Sequence, residues 1–205
     1  MAARKNLFIV FEGIDGSGCE TQARLLSNYF ENKKNQVSKL KYPDYSDQYG
    51  KLIRLYLTGR LQLTAERIFL THLINQLKDR EKIRESIRGG KFVVSDRYYT
   101  SNLAYNCSDM LPVDKALKVA SVFKLPQPDL IFYLDTLPET AMKRKLREKG
   151  KLDVNERNLA KLGIVAGKYR NLARKNTFGQ WFIINGNKPI DDVKQSILKI
   201  LRHYI

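Results

Sequence analysis

Cysteine, histidine and acid are scarce in this chain. Only two cysteines, Cys19 and Cys107, occur in 205 residues, and they lie far apart. Two distant thiols make neither a disulfide framework nor a zinc site, and they suit a reducing compartment. The two histidines, His72 and His203, are isolated and are assigned to structure. No apolar run approaches the ~18–20 residues of a membrane helix. The first run, Leu7-Phe8-Ile9-Val10-Phe11, is shorter than the ~7–15 residues of a secretory core. It ends in Glu12, so a buried strand is expected there rather than a leader. No repeat, low-complexity tract or Ser/Gly/Pro-rich linker divides the sequence. A single domain over residues 1–205 and a cytoplasmic protein are the expectation.

The deficit of acid is the stronger signal. Asp plus Glu number 21 against 37 Lys plus Arg, a formal net charge of +16. Residues 141–175 alone hold twelve Lys/Arg against three acids. Such a surplus favours anionic partners: nucleic acid, an anionic membrane surface or phosphorylated small molecules. No helix-turn-helix, zinc-finger or RNP-like pattern supports nucleic acid, and nothing in the hydropathy points to a membrane. Small phosphorylated molecules fit best, and a nucleic-acid-associated module motivated by the charge stays open as an alternative.

Hydrophobic periodicity alternates between strands and helices. Strands are expected at Leu7–Phe11, Val37–Leu40, Lys91–Ser95, Asp129–Leu134 and Trp181–Ile184. Helices are expected over Thr21–Lys33, Gly50–Leu57, Ala65–Ile87, Val113–Phe123, Pro138–Lys149, a segment ending near Lys175, and Ile190–His203. Gly150–Val154 reads as a break. This alternation predicts an α/β fold, a parallel sheet covered on both faces, with ligands beyond the carboxyl ends of the strands.

Between the first strand and helix runs Gly13-Ile14-Asp15-Gly16-Ser17-Gly18-Cys19-Glu20-Thr21. A glycine-rich turn there lets successive backbone N–H groups face one phosphate, and the helix N-terminus adds partial positive charge. Gly13 and Gly18 have the spacing of the P-loop pattern G-x-x-x-x-G-K-[ST]. Cys19 stands at the lysine position and Glu20 at the Ser/Thr position, so the loop lacks its usual cation and metal-binding hydroxyl. A Lys or Arg from elsewhere would have to enter the site, or Glu20 would have to ligate Mg²⁺ directly. The bland alternative is a glycine-rich turn that binds nothing.

At this point the sequence resembles the thymidylate kinase family of nucleoside monophosphate kinases. The likeness runs through Phe11-Glu12-Gly13-Ile14-Asp15-Gly16-Ser17-Gly18, Thr21-Gln22, Tyr42-Pro43-Asp44 with Gly50-Lys51-Leu52-Ile53, and Asp96-Arg97-Tyr98 with Ser101-Asn102-Leu103-Ala104-Tyr105. It continues through Pro128-Asp129-Leu130, Tyr133-Leu134-Asp135 and Trp181-Phe182-Ile183-Ile184-Asn185-Gly186. The resemblance implies a three-layer P-loop kinase fold with a five-stranded parallel sheet and a LID at about 143–157. It implies transfer of the ATP γ-phosphoryl to dTMP with Mg²⁺, and a homodimer.

Roles follow from the same resemblance. Gly13, Ile14, Asp15, Gly16, Ser17, Gly18, Cys19, Glu20 and Thr21 would hold ATP, joined by Lys149 and Lys151 of the LID. Asp15, Asp96, Arg97, Arg144 and Arg147 would be catalytic. Asp96, with Glu20, would hold the metal, and Arg97 would bridge donor and acceptor phosphates. Glu12, Pro43, Arg97, Ser101, Asn102 and Tyr105 would meet the acceptor. Tyr45 stands where relatives usually carry an arginine for the acceptor phosphate. Phe69–Arg80 has no clean match to the Phe and Arg that contact thymine, Asn75 falling about where that arginine is expected. Two alternatives stay open: another pyrimidine nucleotide kinase, and a nucleotide-binding relative with little catalysis.

Overall fold

The computed structural model describes residues 6–149 and 158–205. Five strands form one parallel sheet: β1 (Phe8–Glu12), β2 (Val37–Lys41), β3 (Phe92–Asp96), β4 (Leu130–Asp135) and β5 (Gln180–Asn185), in the order β2-β3-β1-β4-β5. From β1 the chain steps to β2 at one edge, whereas from β3 and β4, the two neighbours of β1, it steps toward the other edge, so connections leaving adjacent carboxyl ends diverge beside β1. That crevice is where ligands bind in open α/β sheets.

Alternation of side chains across each strand creates two cores. Phe8, Val10, Val93, Ile131 and Tyr133 face one side and pack under α3 (Ala65–Leu77), α5 (Tyr99–Asn106), α6 (Val113–Val122) and α8 (Leu159–Arg174). Ile9, Phe11, Val94, Leu130, Phe132 and Leu134 face the other side, under α1 (Cys19–Asn32) and α9 (Ile190–Leu201). Phe30 of α1 stacks on Phe92 of β3 with ring centroids 3.9 Å apart. Strands buried on both faces read as unbroken apolar runs, which is why periodicity located them.

Three boundaries differ in the same way. β1, β3 and β4 each run one residue further than expected and end on Glu12, Asp96 and Asp135. An acid terminates an apolar run, but here it belongs to the ladder and stands at the carboxyl edge of the sheet. The register sets Phe11 beside Asp96 and Glu12 beside Tyr133.

Two helical expectations are corrected. Ala65–Ile87 is not one helix: α3 ends at Leu77 and α4 (Arg80–Arg88) starts anew. Asp79 at the junction accepts from its neighbour Lys78 and from the Tyr42 hydroxyl, 37 positions away, a contact that no local pattern reveals. α5 was not expected at all. Its buried set, Tyr99, Thr100, Asn102, Leu103 and Ala104, includes two polar residues within only eight, so the apolar stripe is too short and broken to mark it. The remaining helices are α2 (Gln48–Leu57) and α7 (Pro138–Lys149). Among the described residues, no helix is long and apolar enough to cross a membrane.

Candidate functional site

A cavity of about 800 Å³ opens at the carboxyl edge of the sheet. One end is made by the glycine-rich loop, the start of α1, Arg144 and Lys145 of α7, and Lys188, Pro189 and Ile190 at the start of α9. The other end is made by Tyr42, Pro43, Tyr45, Tyr56, His72, Gln76, Asn102 and Asn106. Asp15, Asp96, Arg97, Ser101 and Tyr105 line it as well.

The loop has the conformation its glycines permit. Gly16 and Gly18 adopt φ of +87° and +100°, in the left-handed region that glycine tolerates. A Cβ on Gly16 would stand 2.2 Å from the Ala141 carbonyl oxygen, so the loop lies directly against α7. Gly18 is the N-cap of α1, whose 14 residues end in unsatisfied N–H groups at the loop. Ser17 N–H closes the turn on the Ile14 carbonyl at 3.0 Å.

Cys19 faces both the core and the cavity but carries no charge. It is 4% exposed, contacts Ser17 Oγ through Sγ at 3.2 Å, and burial pushes its thiol up to about 12. Glu20 is exposed, and its Oε1 lies 2.6 Å from Lys41 Nζ. That bond, above all, holds its carboxyl below the usual range. Asp96 is 7% exposed, and no donor among the described residues bonds its carboxylate. Burial raises it to about 6, with Arg97 and then Lys41 opposing the rise. A nearly buried, unpaired carboxylate beside a loop shaped for phosphates suits Mg²⁺, which takes one or two carboxylates plus phosphate oxygens and waters.

Arg97 sits where the two ends meet. Its backbone φ is +66°, unusual for a side chain of this size. The conformation is held by its N–H on the Phe11 carbonyl at 2.9 Å and by Ser95 Oγ donating to its own carbonyl. The guanidinium donates to the Gly13 carbonyl at 2.6 Å, to Asp15 Oδ1 at 2.7 Å, and to Ser101 Oγ and the Tyr169 hydroxyl at 3.3 Å. Tyr105 completes the group, its hydroxyl donating to Asp15 Oδ2 at 3.2 Å.

Glu12 lies beneath this group, fully buried and outside the cavity lining. Its Oε1 accepts from Tyr98 N–H, Thr100 Oγ1 and Ser101 N–H, and its Oε2 from Ser101 Oγ and the Tyr169 hydroxyl. Burial raises its carboxyl, and Arg97 is the largest opposing influence. The acid expected at the acceptor is thus the floor that orients the residues above it.

The other expected residues divide. Arg144 reaches the loop, donating to the carbonyls of Gly186 at 2.9 Å and Ser17 at 3.5 Å. Ile14, Thr21, Pro43 and Asn102 line the cavity, while Gly13 and Arg147 do not. Lys149 is the last residue of α7. Lys151, like the break at Gly150–Val154, falls outside the described residues. Asn75 is buried and turned away from the cavity, bonding the Asp44 backbone and the Asp47 carboxylate.

Four residues escaped the sequence reading. His72 and Gln76 face the cavity from α3, one turn apart; polar residues on the buried stripe of a helix were the available signal. Burial, then the charge of Arg97, lowers His72 to about 4, so it is neutral. Tyr169 of α8 is buried against Tyr133 with centroids 5.3 Å apart. Lys41 closes β2. For the last two no local signal existed.

The family model of thymidylate kinases matches residues 11–197. Among curated proteins, the thymidylate kinase of Dictyostelium discoideum is 31% identical over 198 residues, covering 96% of this chain and 85% of that protein. The thymidylate kinase of Plasmodium falciparum is 30% identical over 199 residues, covering 96% and 90%. A probable thymidylate kinase of Thermococcus onnurineus is 33% identical over 207 residues, covering 96% and 98%.

Proposed function

The chain belongs to the thymidylate kinase family, and from that premise we propose that it transfers the γ-phosphoryl of ATP to the 5′-phosphate of dTMP. The observation that carries the reading is the placement of Arg97. It stands on a strained backbone beside the phosphate loop, bonded to Gly13 and Asp15 of that loop on one side and to Ser101 of α5 on the other.

In this reading the N–H groups of Gly13–Gly18 and the start of α1 take the donor phosphates. Lys188, Pro189 and Ile190 border the donor base. Arg97 binds oxygens of both phosphates and so holds them in line, since phosphoryl transfer depends on positioning and on charge around the transferring oxygens. Asp15 and Tyr105 keep the guanidinium in one rotamer. Arg144, anchored over the loop, adds positive charge as α7 approaches the donor. Asp96 would hold the Mg²⁺ that accompanies ATP, which supplies positive charge to the phosphate oxygens. Ser101, Asn102, His72 and Gln76 border the acceptor nucleoside, and Tyr42, Pro43 and Tyr45 its phosphate side. A homodimer belongs to the same reading, supported by exposed Leu52, Leu55, Leu70 and Ile74 on neighbouring α2 and α3. So does a cytoplasmic place of action.

The test is a coupled assay with Mg-ATP against dTMP, dUMP, UMP, dCMP, AMP and GMP. dTMP is expected to be phosphorylated fastest. Preference for another pyrimidine would move the reading to that nucleotide, and no turnover with any of the six would end it. The neutral, buried Cys19 favours a second reading, a relative that binds nucleotide with little transfer. Calorimetric binding of ATP without product would establish it.

A further inference from the structure

The loop carries a net charge two units more negative than its pattern expects. Cys19 stands for the lysine and Glu20 for the hydroxyl, so one cation is gone and one anion is added. The buried thiol stays neutral. A phosphate end left in that state would repel the polyanion for which its backbone is shaped.

The neighbouring strand changes the balance. Lys41 is the last residue of β2, and its Cα pairs with that of Asp96 at the carboxyl edge of the sheet. Its ammonium lies 2.6 Å from Glu20 Oε1, over the first turn of α1. Lys41, Glu20, Cys19 and Asp96 all line the one cavity. Its charge reaches Asp96 too, where it opposes the rise that burial causes.

We propose that Lys41 is the cation that replaces the missing loop lysine, a catalytic residue borne on the sheet, and that Glu20 is the residue that positions it. The proposal rests on the phosphotransfer reading above. An ammonium has three donors and Glu20 takes one, which leaves donors for phosphate oxygens. Of the other cations that line the cavity, Arg144 donates to the carbonyls of Gly186 and Ser17, and Lys145 bonds Glu148 within α7; Arg24 and Lys188 line it as well. Main-chain register sets the Lys41 Cα beside Asp96, and the Glu20 carboxylate holds the ammonium near the start of α1. In the transfer, an acceptor phosphate oxygen forms the new bond to the γ-phosphorus. The bond to the β–γ bridging oxygen breaks, and its electron pair leaves with ADP. Lys41 keeps its proton throughout and steadies the charge on the donor oxygens.

Lys39 provides the control. It lies two residues earlier on β2, is exposed, and pairs with Glu31 toward the other end of α1. The experiment measures ADP affinity by calorimetry and steady-state kinetics with Mg-ATP and dTMP. Lys41→Met should lower kcat by about 10² to 10³ and weaken ADP about tenfold, with the KM for dTMP unchanged. Lys41→Arg should retain most of both. Glu20→Gln should cost less than Lys41→Met, and should add nothing in the Lys41→Met background because it acts through Lys41. Lys39→Met should match the parent protein. If Lys41→Met matches Lys39→Met in both measurements, the proposal is overturned while the kinase reading stands. If the parent protein phosphorylates no monophosphate, the kinase reading fails, and the ADP titrations still decide whether Lys41 serves the phosphate end.

Discussion

Arg97 donates to Asp15 at 2.7 Å, joining the end of β3 to the glycine-rich loop that follows β1. Both side chains are largely shielded from solvent, and the same guanidinium bonds the Gly13 carbonyl. The pair therefore holds the loop and the start of α5 in one arrangement. A guanidinium held this way binds two oxygens at fixed angles, which an ammonium does not. Arg97→Met is expected to lower kcat by about 10² to 10³, and Arg97→Lys to recover only a minor part. Steady-state kinetics with Mg-ATP and dTMP measure both.

Glu12 gathers five donors in a fully buried position. Removing the carboxylate strands Thr100, Ser101 and Tyr169 and leaves Arg97 without a counter-charge beneath it. Glu12→Ala should destabilise the fold by about 3–5 kcal/mol, and Glu12→Gln by less because an amide oxygen still accepts. Urea unfolding midpoints of the two variants give the comparison. A midpoint for Glu12→Ala equal to the parent's would mean the network is not a support.

His72 links the cavity to pH. Its pKa is lowered to about 4 by burial and by Arg97, against about 6.5 in an unfolded chain. Between those values the unfolded chain binds a proton that the folded one refuses. The stability is present above pH 6.5 and is lost as pH falls toward 4. His72→Gln should flatten that decline. Unfolding midpoints at pH 7 and pH 4.5 for both proteins check it, and parallel curves would refute it.

Gly16 tests the approach of the loop to α7. Alanine there meets a φ of +87° and a carbonyl oxygen 2.2 Å from the new Cβ. Backbone strain alone costs about 1–3 kcal/mol, and relief requires moving either the loop or α7. Gly16→Ala is expected to weaken ADP binding at least tenfold and to lower the melting temperature. Calorimetry and thermal unfolding read the two effects separately.

Much of the fold was legible because its strands are apolar on both faces and separated by helical periods. The loop was legible because glycines at fixed spacing have few other uses. The misses share a cause. α5 is recruited for polar contacts with Glu12 and Phe69, so its apolar stripe is short and broken. At the break between α3 and α4, Asp79 accepts from Tyr42, 37 positions away, a contact the helix pattern does not carry. The sequence does not say whether an acid at a strand end, such as Glu12, points up into a cavity or down among donors; the structure places it among donors, outside the cavity lining.

By itself the sequence determined the parallel sheet, the glycine-rich loop and the family, since each rests on local pattern or on motifs read in order. Tertiary structure alone decided which charges face one another. Arg97 meets Asp15 across 82 positions, Tyr169 meets Glu12 across 157, and Lys41 meets Glu20 from a different element. The physical reason is that electrostatics depends on distance in space and on burial. Both are set by how strands stack at the carboxyl edge, where residues remote in the chain come within hydrogen-bond reach.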